Sequence, residues 1–318
     1  IQPDDELYEY LLTSLSSYID GQIADEKLII WTGTGSNGKS LLVEFFEEAF
    51  GDYCTKLPTS LLTRKRGSSS AASPEVAKTL GKRFAVLQEP EQDDKINVGL
   101  MKEITGGDKI EARELYKNPV IFKPQFKLLL TCNDLPVIPS NDGGTWRRLR
   151  VLPFKSKFVD NPNPNNPLEF KKDPLLCEKL KKDNVKEAFM SLLIHYYNTK
   201  YKVGGLIEPD EVVKYTQEYQ KVSDKYSDFI DEYIVSTNNT KGNPQEKVVK
   251  TTLVKIYSYF KEWYKESLPG EKVPSKKDLK EYFIQRYGKP LIGKGGYWTS
   301  IKINDNCIAR VSAWVGVV

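Results

Sequence analysis

Leu28-Ile29-Ile30-Trp31, followed after one residue by Gly33-Thr34-Gly35-Ser36-Asn37-Gly38-Lys39-Ser40, joins an apolar run to a glycine-rich loop. The run reads as a strand that stops abruptly. The glycines let backbone N–H groups turn inward around a phosphate, and the helix expected next would face its N-terminal dipole toward the same charge. The pattern predicts a nucleoside triphosphate site built by Gly33, Thr34, Gly35, Ser36, Asn37, Gly38, Lys39 and Ser40. In it Lys39 reaches the β and γ phosphates and Ser40 ligates Mg²⁺.

Further apolar runs follow at Tyr53 to Leu57, Phe84 to Leu87, Phe126 to Leu130 and Leu149 to Phe154, mostly separated by helical or turn-rich segments. Strands alternating with helices behind a phosphate loop predict an α/β fold, with a mainly parallel sheet covered on both faces. Upstream, Leu7, Tyr8, Leu11, Leu12 and Leu15 recur at helical spacing and Gly21 stops the pattern, so residues 1–26 are expected as the helical tail of an upstream element. Residues 27–200 are assigned to the core. Within them, the proline-rich stretch 160–167 is excluded from helix and central strand.

Helices are expected near Pro174 to Lys182, Val185 to Lys200 and Pro209 to Ile234, with residues 201–243 as a helical connector ending in the polar stretch Ser236 to Pro244. Residues 244–318 read as helix (Lys250 to Glu266), helix (opened by Pro274-Ser275 and running to Tyr287) and hairpin (Gly293 to Ile303). That is the outline of a winged helix, with Lys276, Lys277 and Lys280 on the second helix and Trp298 in the wing.

A chain of 318 residues with 39% hydrophobic and 28% charged side chains suits one large domain and a smaller one. No apolar run approaches the length of a bilayer span, and Asp4, Asp5 and Glu6 stand where a secretory signal carries positive charge. Ile1 in place of Met suggests a piece of something longer. Cys54, Cys132, Cys177 and Cys307 are far apart, which points to neither a zinc site nor a disulfide framework and fits a reducing, intracellular compartment. His195 is the only histidine, so histidine-based metal or triad chemistry is not expected. The net charge of +4 is small, and the local clusters Arg64-Lys65-Arg66, Lys171-Lys172 and Lys179 with Lys181-Lys182 each read individually as solvated faces.

Splitting a triphosphate needs an acid at a neighbouring strand tip, and Arg83-Phe84-Ala85-Val86-Leu87-Gln88-Glu89-Pro90-Glu91 supplies two. Glu89 is the choice for the water-orienting base and a contributor to the Mg²⁺ shell, with Glu91 as the second acid; the roles are exchangeable. Asn133 ends the strand-like run Phe126 to Cys132 and is suited to hydrogen-bond a γ-phosphate or the lytic water, on a strand lying between the other two. Arg147 and Arg148, in Thr145-Trp146-Arg147-Arg148-Leu149-Arg150, are candidates for an arginine offered to a neighbouring subunit's site, or else pair with acids on their own surface. The first alternative requires a closed ring.

Leu100 to Lys117 with Thr105-Gly106-Gly107-Asp108, followed by Phe122-Lys123-Pro124-Gln125-Phe126-Lys127, resembles the extra motif of superfamily 3 helicases. More narrowly it resembles the helicase module of the primase-helicases of large DNA viruses and related phages. The phosphate loop, Glu89-Pro90, Thr131-Cys132-Asn133 and Trp146-Arg147-Arg148 stand in that family's order over residues 7 to 155. The resemblance implies an AAA+-like core and a Mg²⁺-dependent ATP hydrolase that works as a homo-hexamer. It implies movement 3′ to 5′ on single-stranded DNA during replication, at a viral replication site or in the host cytoplasm, and an upstream primase domain. It further implies a hairpin projecting into the channel, with its tip near Tyr116-Lys117-Asn118-Pro119. Lys117 and Tyr116 are chemically suited to grip a phosphate and touch a base, with Lys109 and Arg113 as supports. The family's two adjacent acids are here Gln88 and Glu89, which leaves open which carboxylate faces the metal. Competing readings are a ring ATPase that remodels protein or packages DNA, and a nucleotide-controlled DNA-binding switch.

Overall fold

Each apolar run behind the phosphate loop alternates between two buried faces, and this forces a sheet with cover on both sides. The computed structural model describes residues 1–64, 72–91, 94–140, 142–237, 250–270, 273–291 and 296–304. They divide into two compact units, Ile1–Ser223 and Asp224–Val318.

The strands of the first unit are β1 (Leu28–Thr32), β2 (Cys54–Leu57), β3 (Phe84–Gln88), β4 (Ile110–Ala112), β5 (Val120–Phe122), β6 (Lys127–Cys132), β7 (Leu149–Pro153), β8 (Lys157–Val159) and β9 (Glu169–Lys171). Its longer helices are α1 (Asp5–Ser17), α2 (Lys39–Phe50), α3 (Val98–Thr105), α4 (Asp183–Tyr196) and α5 (Asp210–Ser223). Five strands form the central sheet in the order β2-β3-β6-β1-β7, every neighbouring pair parallel. The fold class is therefore mixed α/β with a parallel central sheet, as expected.

Ile29, Trp31, Phe84, Val86, Leu129 and Leu152 face one side, against Leu7, Leu11 and Leu15 of α1, Val43 and Phe46 of α2 and Leu193 of α4. Leu28, Ile30, Ala85, Leu87, Leu128, Leu130 and Val151 face the other, against Met101 and Ile104 of α3 and Tyr219 of α5. All six residues of β6 are buried, as a strand with neighbours on both edges and cover on both faces requires. Parallel register brings Thr32 level with Cys132, and Gln88 level with Thr131, so β1, β3 and β6 end together. The site grows on that edge.

Residues 1–26 are packed into this unit instead of forming a separate tail: α1 supplies much of one core layer, and Gln2 Nε2 donates to Pro153 O at 2.9 Å. The compact division after Ser223 does not coincide with the expected boundary at 200/201, because Val212 and Tyr219 of α5 belong to the core layers. The boundary expected at 243/244 lies outside the described residues, as do Lys65 to Ser70 and Cys307. The single helix expected over Pro209 to Ile234 is two helices. Asp224 breaks it by accepting from Tyr226 N and Ser227 N and so capping a new start.

The second unit contains α6 (Lys225–Tyr233), β10 (Ile234–Ser236), β11 (Thr251–Thr252), α7 (Leu253–Ser267), α8 (Lys276–Tyr287), β12 (Tyr297–Trp298) and β13 (Ile301–Ile303). The two strands within the expected hairpin take other partners: β12 pairs with β11 and β13 with β10, both antiparallel. Trp298, expected in the wing, is 3% exposed and donates its indole N–H to Gly288 O. It packs in the core of this unit with Phe260, Leu279 and Phe283. No helix among the described residues is long and apolar enough to cross a membrane.

Candidate functional site

At the end of β1 the chain turns through Gly33, Gly35 and Gly38, all at positive φ, and α2 starts at Lys39. Gly33 is required twice over: its φ is 151°, and a Cβ there would sit 2.5 Å from both Phe154 O and Asn37 Nδ2. The loop is stitched by Gly35 N donating to Gly33 O (2.9 Å), and by Phe158 N donating to Ser36 O (2.7 Å). Asn37 is buried and its Oδ1 accepts from Lys39 N at 3.3 Å. Thr34, Ser36 and Ser40 are exposed, so Ser40 offers its hydroxyl at the first turn of α2.

Lys39 is 5% exposed, and its ammonium donates to Gly33 O at 2.6 Å and to Asn133 Oδ1 at 3.2 Å. The sequence-predicted Lys39 and Asn133 are thus joined, because β6 lies between β1 and β3 and ends beside the loop. Thr32 Oγ1 ties the same strand end by donating to Asn133 O at 3.1 Å. Burial lowers the Lys39 pKa from the ordinary lysine value, while the Cys132 sulfur and the Glu89 carboxylate pull the other way. Cys132, which sequence reasoning left aside, has its thiol pushed up to about 12 by burial despite nearby Lys39.

Glu89 follows β3 directly, with φ 55° and its N–H donating to Thr131 O at 2.8 Å. The strand stops at Gln88. Glu91 lines a cavity of about 540 Å³ with Lys56, Arg64, Gln88 and Asp94. Of the two carboxylates, Glu89 is the one whose charge reaches Lys39.

Arg147 and Arg148 lie at the opposite edge of the sheet, where Leu28 N donates to Arg148 O at 2.7 Å. At about 3.3 Å per residue, β1 sets that edge roughly 13 Å from the phosphate loop. Both arginines turn to Glu26, at 2.7 and 3.0 Å. Arg148 also donates to Gly144 O and its side chain is 11% exposed, against 58% for Arg147. The turn that carries them is capped by Asp142, which accepts from Lys102 Nζ (2.8 Å), Thr145 N (3.0 Å) and Thr145 Oγ1 (2.6 Å). Burial opposes the charge of Asp142, yet the hydrogen bonds from Lys102, Ser140 and Thr145 outweigh it and hold this carboxyl well below the usual carboxylate range.

β4 and β5 form an antiparallel hairpin in the expected place, with Ala112 opposite Val120 as the last pair. Tyr116 and Lys117 are exposed at its tip, and Lys117 Nζ meets Glu114 Oε2 at 2.8 Å. Lys109 is exposed beside the base, and Arg113 N donates to Ser73 Oγ at 3.2 Å. Among the described residues, the non-glycine positions at positive φ are Glu26, Ser36, Glu89 and Tyr116. Strained backbone collects at functional sites, and three of these four were singled out from sequence. Glu26 was missed, because an acid that pairs with residues 121 and 122 positions later leaves no local signal.

A family model described as "Family of unknown function (DUF5906)" matches residues 31–148. The chain is 44% identical over 294 residues to "Putative helicase L207/L206" of Acanthamoeba polyphaga mimivirus, covering 90% of this chain and 30% of that protein. It is 32% identical over 279 residues to "Putative helicase 022R" of Frog virus 3, covering 84% of this chain and 27% of that one. It is 29% identical over 270 residues to "Putative primase C962R" of African swine fever virus, covering 83% and 27%. A solved apo structure of the NrS-1 C-terminal region matches with a TM-score of 0.45 and 14% identity, over 71% of this chain and 51% of that one. The chain spans about 30% of the length of the curated relatives it matches. It is a homologue of a segment of proteins of large DNA viruses that carry the names of helicases and primases.

Proposed function

We propose that this chain is the ATP-driven motor segment of a viral replication helicase, acting on single-stranded DNA as a ring of identical copies. The observation that carries the reading is the contact of Lys39 Nζ with Asn133 Oδ1 at 3.2 Å, which joins the phosphate loop to the end of the neighbouring strand. The residues present fit a triphosphate: glycines at positive φ, a buried ammonium, an exposed Ser40 hydroxyl and the start of a 12-residue helix converge on one edge. Bound there with Mg²⁺, ATP would supply a phosphoanhydride bond and a Lewis acid.

In this reading Lys39 balances phosphate charge and Ser40 ligates the metal. Glu89 orients and deprotonates the attacking water, and Asn133 donates its side-chain amide N–H groups to the reacting oxygens while its carbonyl oxygen holds Lys39. Glu91, which lines a cavity with Lys56 and Arg64, is given no role. Arg147, more exposed than Arg148 and paired among the described residues with Glu26, is the better candidate to serve a neighbouring copy. Its distance from its own phosphate loop supports action across an interface. Exposed Tyr116 and Lys117 support contact of the hairpin with single-stranded nucleic acid. In the second unit α6, β11, α7, α8, β12 and β13, with β10 (Ile234–Ser236) between α6 and β11 and paired to β13, support a winged-helix-like domain. The names of the viral relatives support the replication setting.

The test is ATP turnover with and without single-stranded DNA. The parent chain should be stimulated by DNA, Lys39→Ala inactive throughout, and Lys117→Ala active but unstimulated. Equal rates with and without DNA in parent and Lys117→Ala would favour a protein-remodelling ATPase.

A further inference from the structure

The phosphate loop has two sides. In the strand order β2-β3-β6-β1-β7, Asn133 beyond β6 and Glu89 beyond β3 lie to one side of the loop strand, and β7 lies to the other. The Lys39 ammonium turns to the Asn133 side. A triphosphate laid in the loop with its γ end toward Asn133 and Glu89 therefore directs its nucleoside toward the β7 side.

The chain that leaves β7 is fastened along that side. Phe154 N donates to Thr32 O at 2.7 Å, Asn37 Nδ2 to Phe154 O at 3.5 Å, and Phe158 N to Ser36 O at 2.7 Å. Ser156, 2% exposed, donates its hydroxyl to Ile1 O at 2.8 Å. These bonds set the Phe158 ring against Gly38, the N-cap of α2: a Cβ on Gly38 would lie 3.6 Å from Phe158 Cε2 and 3.2 Å from Ile1 Cγ1. The Phe158 side chain is nevertheless only half-buried. β8 and β9 pair Phe158 with Phe170, and the two rings lie 5.8 Å apart. Phe170 and Ile1 are 38% and 41% exposed. Apolar side chains scattered singly over a surface are ordinary. Three grouped on the rim of an anion site instead match a ligand that is charged at one end and flat and apolar at the other.

We infer that Phe158, with Phe170 and Ile1 around it, receives the base of the bound nucleoside triphosphate, and that Phe158 sets which nucleotides the loop accepts. The three side chains offer hydrocarbon alone, so they recognise the plane of a base and not the hydrogen-bonding pattern of its edge. Purines, with the larger plane, gain more contact than pyrimidines, and adenine and guanine are held alike. The inference rests on the phosphate-site reading proposed above and adds the nucleoside to it.

Calorimetric titration of the 318-residue chain with Mg²⁺ tests it, comparing tripolyphosphate, which carries the phosphates without a base, with non-hydrolysable analogues of ATP, GTP and CTP. The parent should bind the ATP and GTP analogues within about threefold of each other and each about tenfold or more tighter than tripolyphosphate, with the CTP analogue between. Phe158→Ala should weaken the two purine analogues about tenfold and leave tripolyphosphate within about twofold of the parent. Phe158→Leu, which keeps an apolar side chain of similar size, should show the same selective loss, and Phe158→Tyr, which keeps the ring, should bind as the parent does. Circular dichroism checks the fold of each variant. Purine binding unchanged in both Phe158→Ala and Phe158→Leu, an equal loss of tripolyphosphate and ATP analogue, or a GTP analogue bound more than about tenfold weaker than the ATP analogue would overturn the inference. A parent that binds tripolyphosphate as tightly as the ATP analogue would overturn it too, with the phosphate site left standing. A parent that binds neither would instead remove the phosphate-site reading.

Discussion

Replacing Lys39 by methionine keeps a flexible side chain of similar length and removes its charge. The ammonium is buried against Gly33 O and Asn133 Oδ1, and burial lowers its pKa, so the free chain holds this charge at a net disadvantage. Its loss leaves little unsatisfied: Gly33 O keeps the N–H of Gly35, and Asn133 is exposed and reaches water. The expected change in stability is therefore within about 1 kcal/mol either way, or about 2–4 °C in Tm for a unit of this size. Ligand binding is a different matter. At a nucleotide concentration of about 100 Kd the parent gains about 2.7 kcal/mol, a rise of roughly 5–10 °C. Thermal melts with and without ATP and Mg²⁺ should show that rise in the parent and none in Lys39→Met. The pH dependence adds a sign. A lowered folded-state pKa means that stability is greatest above the unfolded lysine value of about 10.4 and is lost as pH falls through the folded value. Lys39→Met should flatten that part of the profile. A variant that melts far below the parent without nucleotide, or that still rises with it, would refute the reasoning.

Gly33→Ala should destabilise the first unit by about 2–4 kcal/mol in urea titrations, since the new methyl group meets Phe154 O at a φ that L residues rarely adopt. Asn133→Ala should slow ATP turnover by about 10²–10³ while nucleotide affinity, read by fluorescence titration, changes little. Tyr116→Ala with Lys117→Ala should leave the melting curve unchanged, because both side chains are exposed, and should weaken binding of single-stranded DNA and lower its salt dependence. Asp142→Asn should show up against pH: the depressed Asp142 carboxyl contributes stability above its unfolded value of about 3.9 that is lost as pH falls through the folded one, so the variant should lose less between pH 5 and 2 by urea midpoint.

The central sheet was legible because its strands are short, mostly apolar runs punctuated by Gly33, Gly51, Gly81 and the prolines after residue 160. The order of motifs carried the site, since a strand ending in Asn133 between the loop strand and the acid strand is what brings Asn133 to Lys39. Other features were hidden in ways that follow from the physics. Asp224 reads as one more polar residue in a helical pattern, and only its two bonds to the N–H groups ahead reveal a cap. Alternation marked residues 293–303 as strand but says nothing about partners, so β12 and β13 were paired with each other instead of with β11 and β10. Glu91 sits two residues from Glu89 and lines a cavity with Lys56, Arg64, Gln88 and Asp94, a placement that the sequence spacing of the two acids does not reveal.

The positive φ values at Glu26, Ser36, Glu89 and Tyr116 set a limit for anyone engineering heat resistance into this chain. Glycine relaxes each of these positions, and routine thermostability design favours such swaps. If the assignments above hold, at Glu89 and Tyr116 the swap exchanges a working side chain for backbone comfort, and at Glu26 it frees two arginines. Hardening this protein therefore has to begin somewhere other than its most contorted residues.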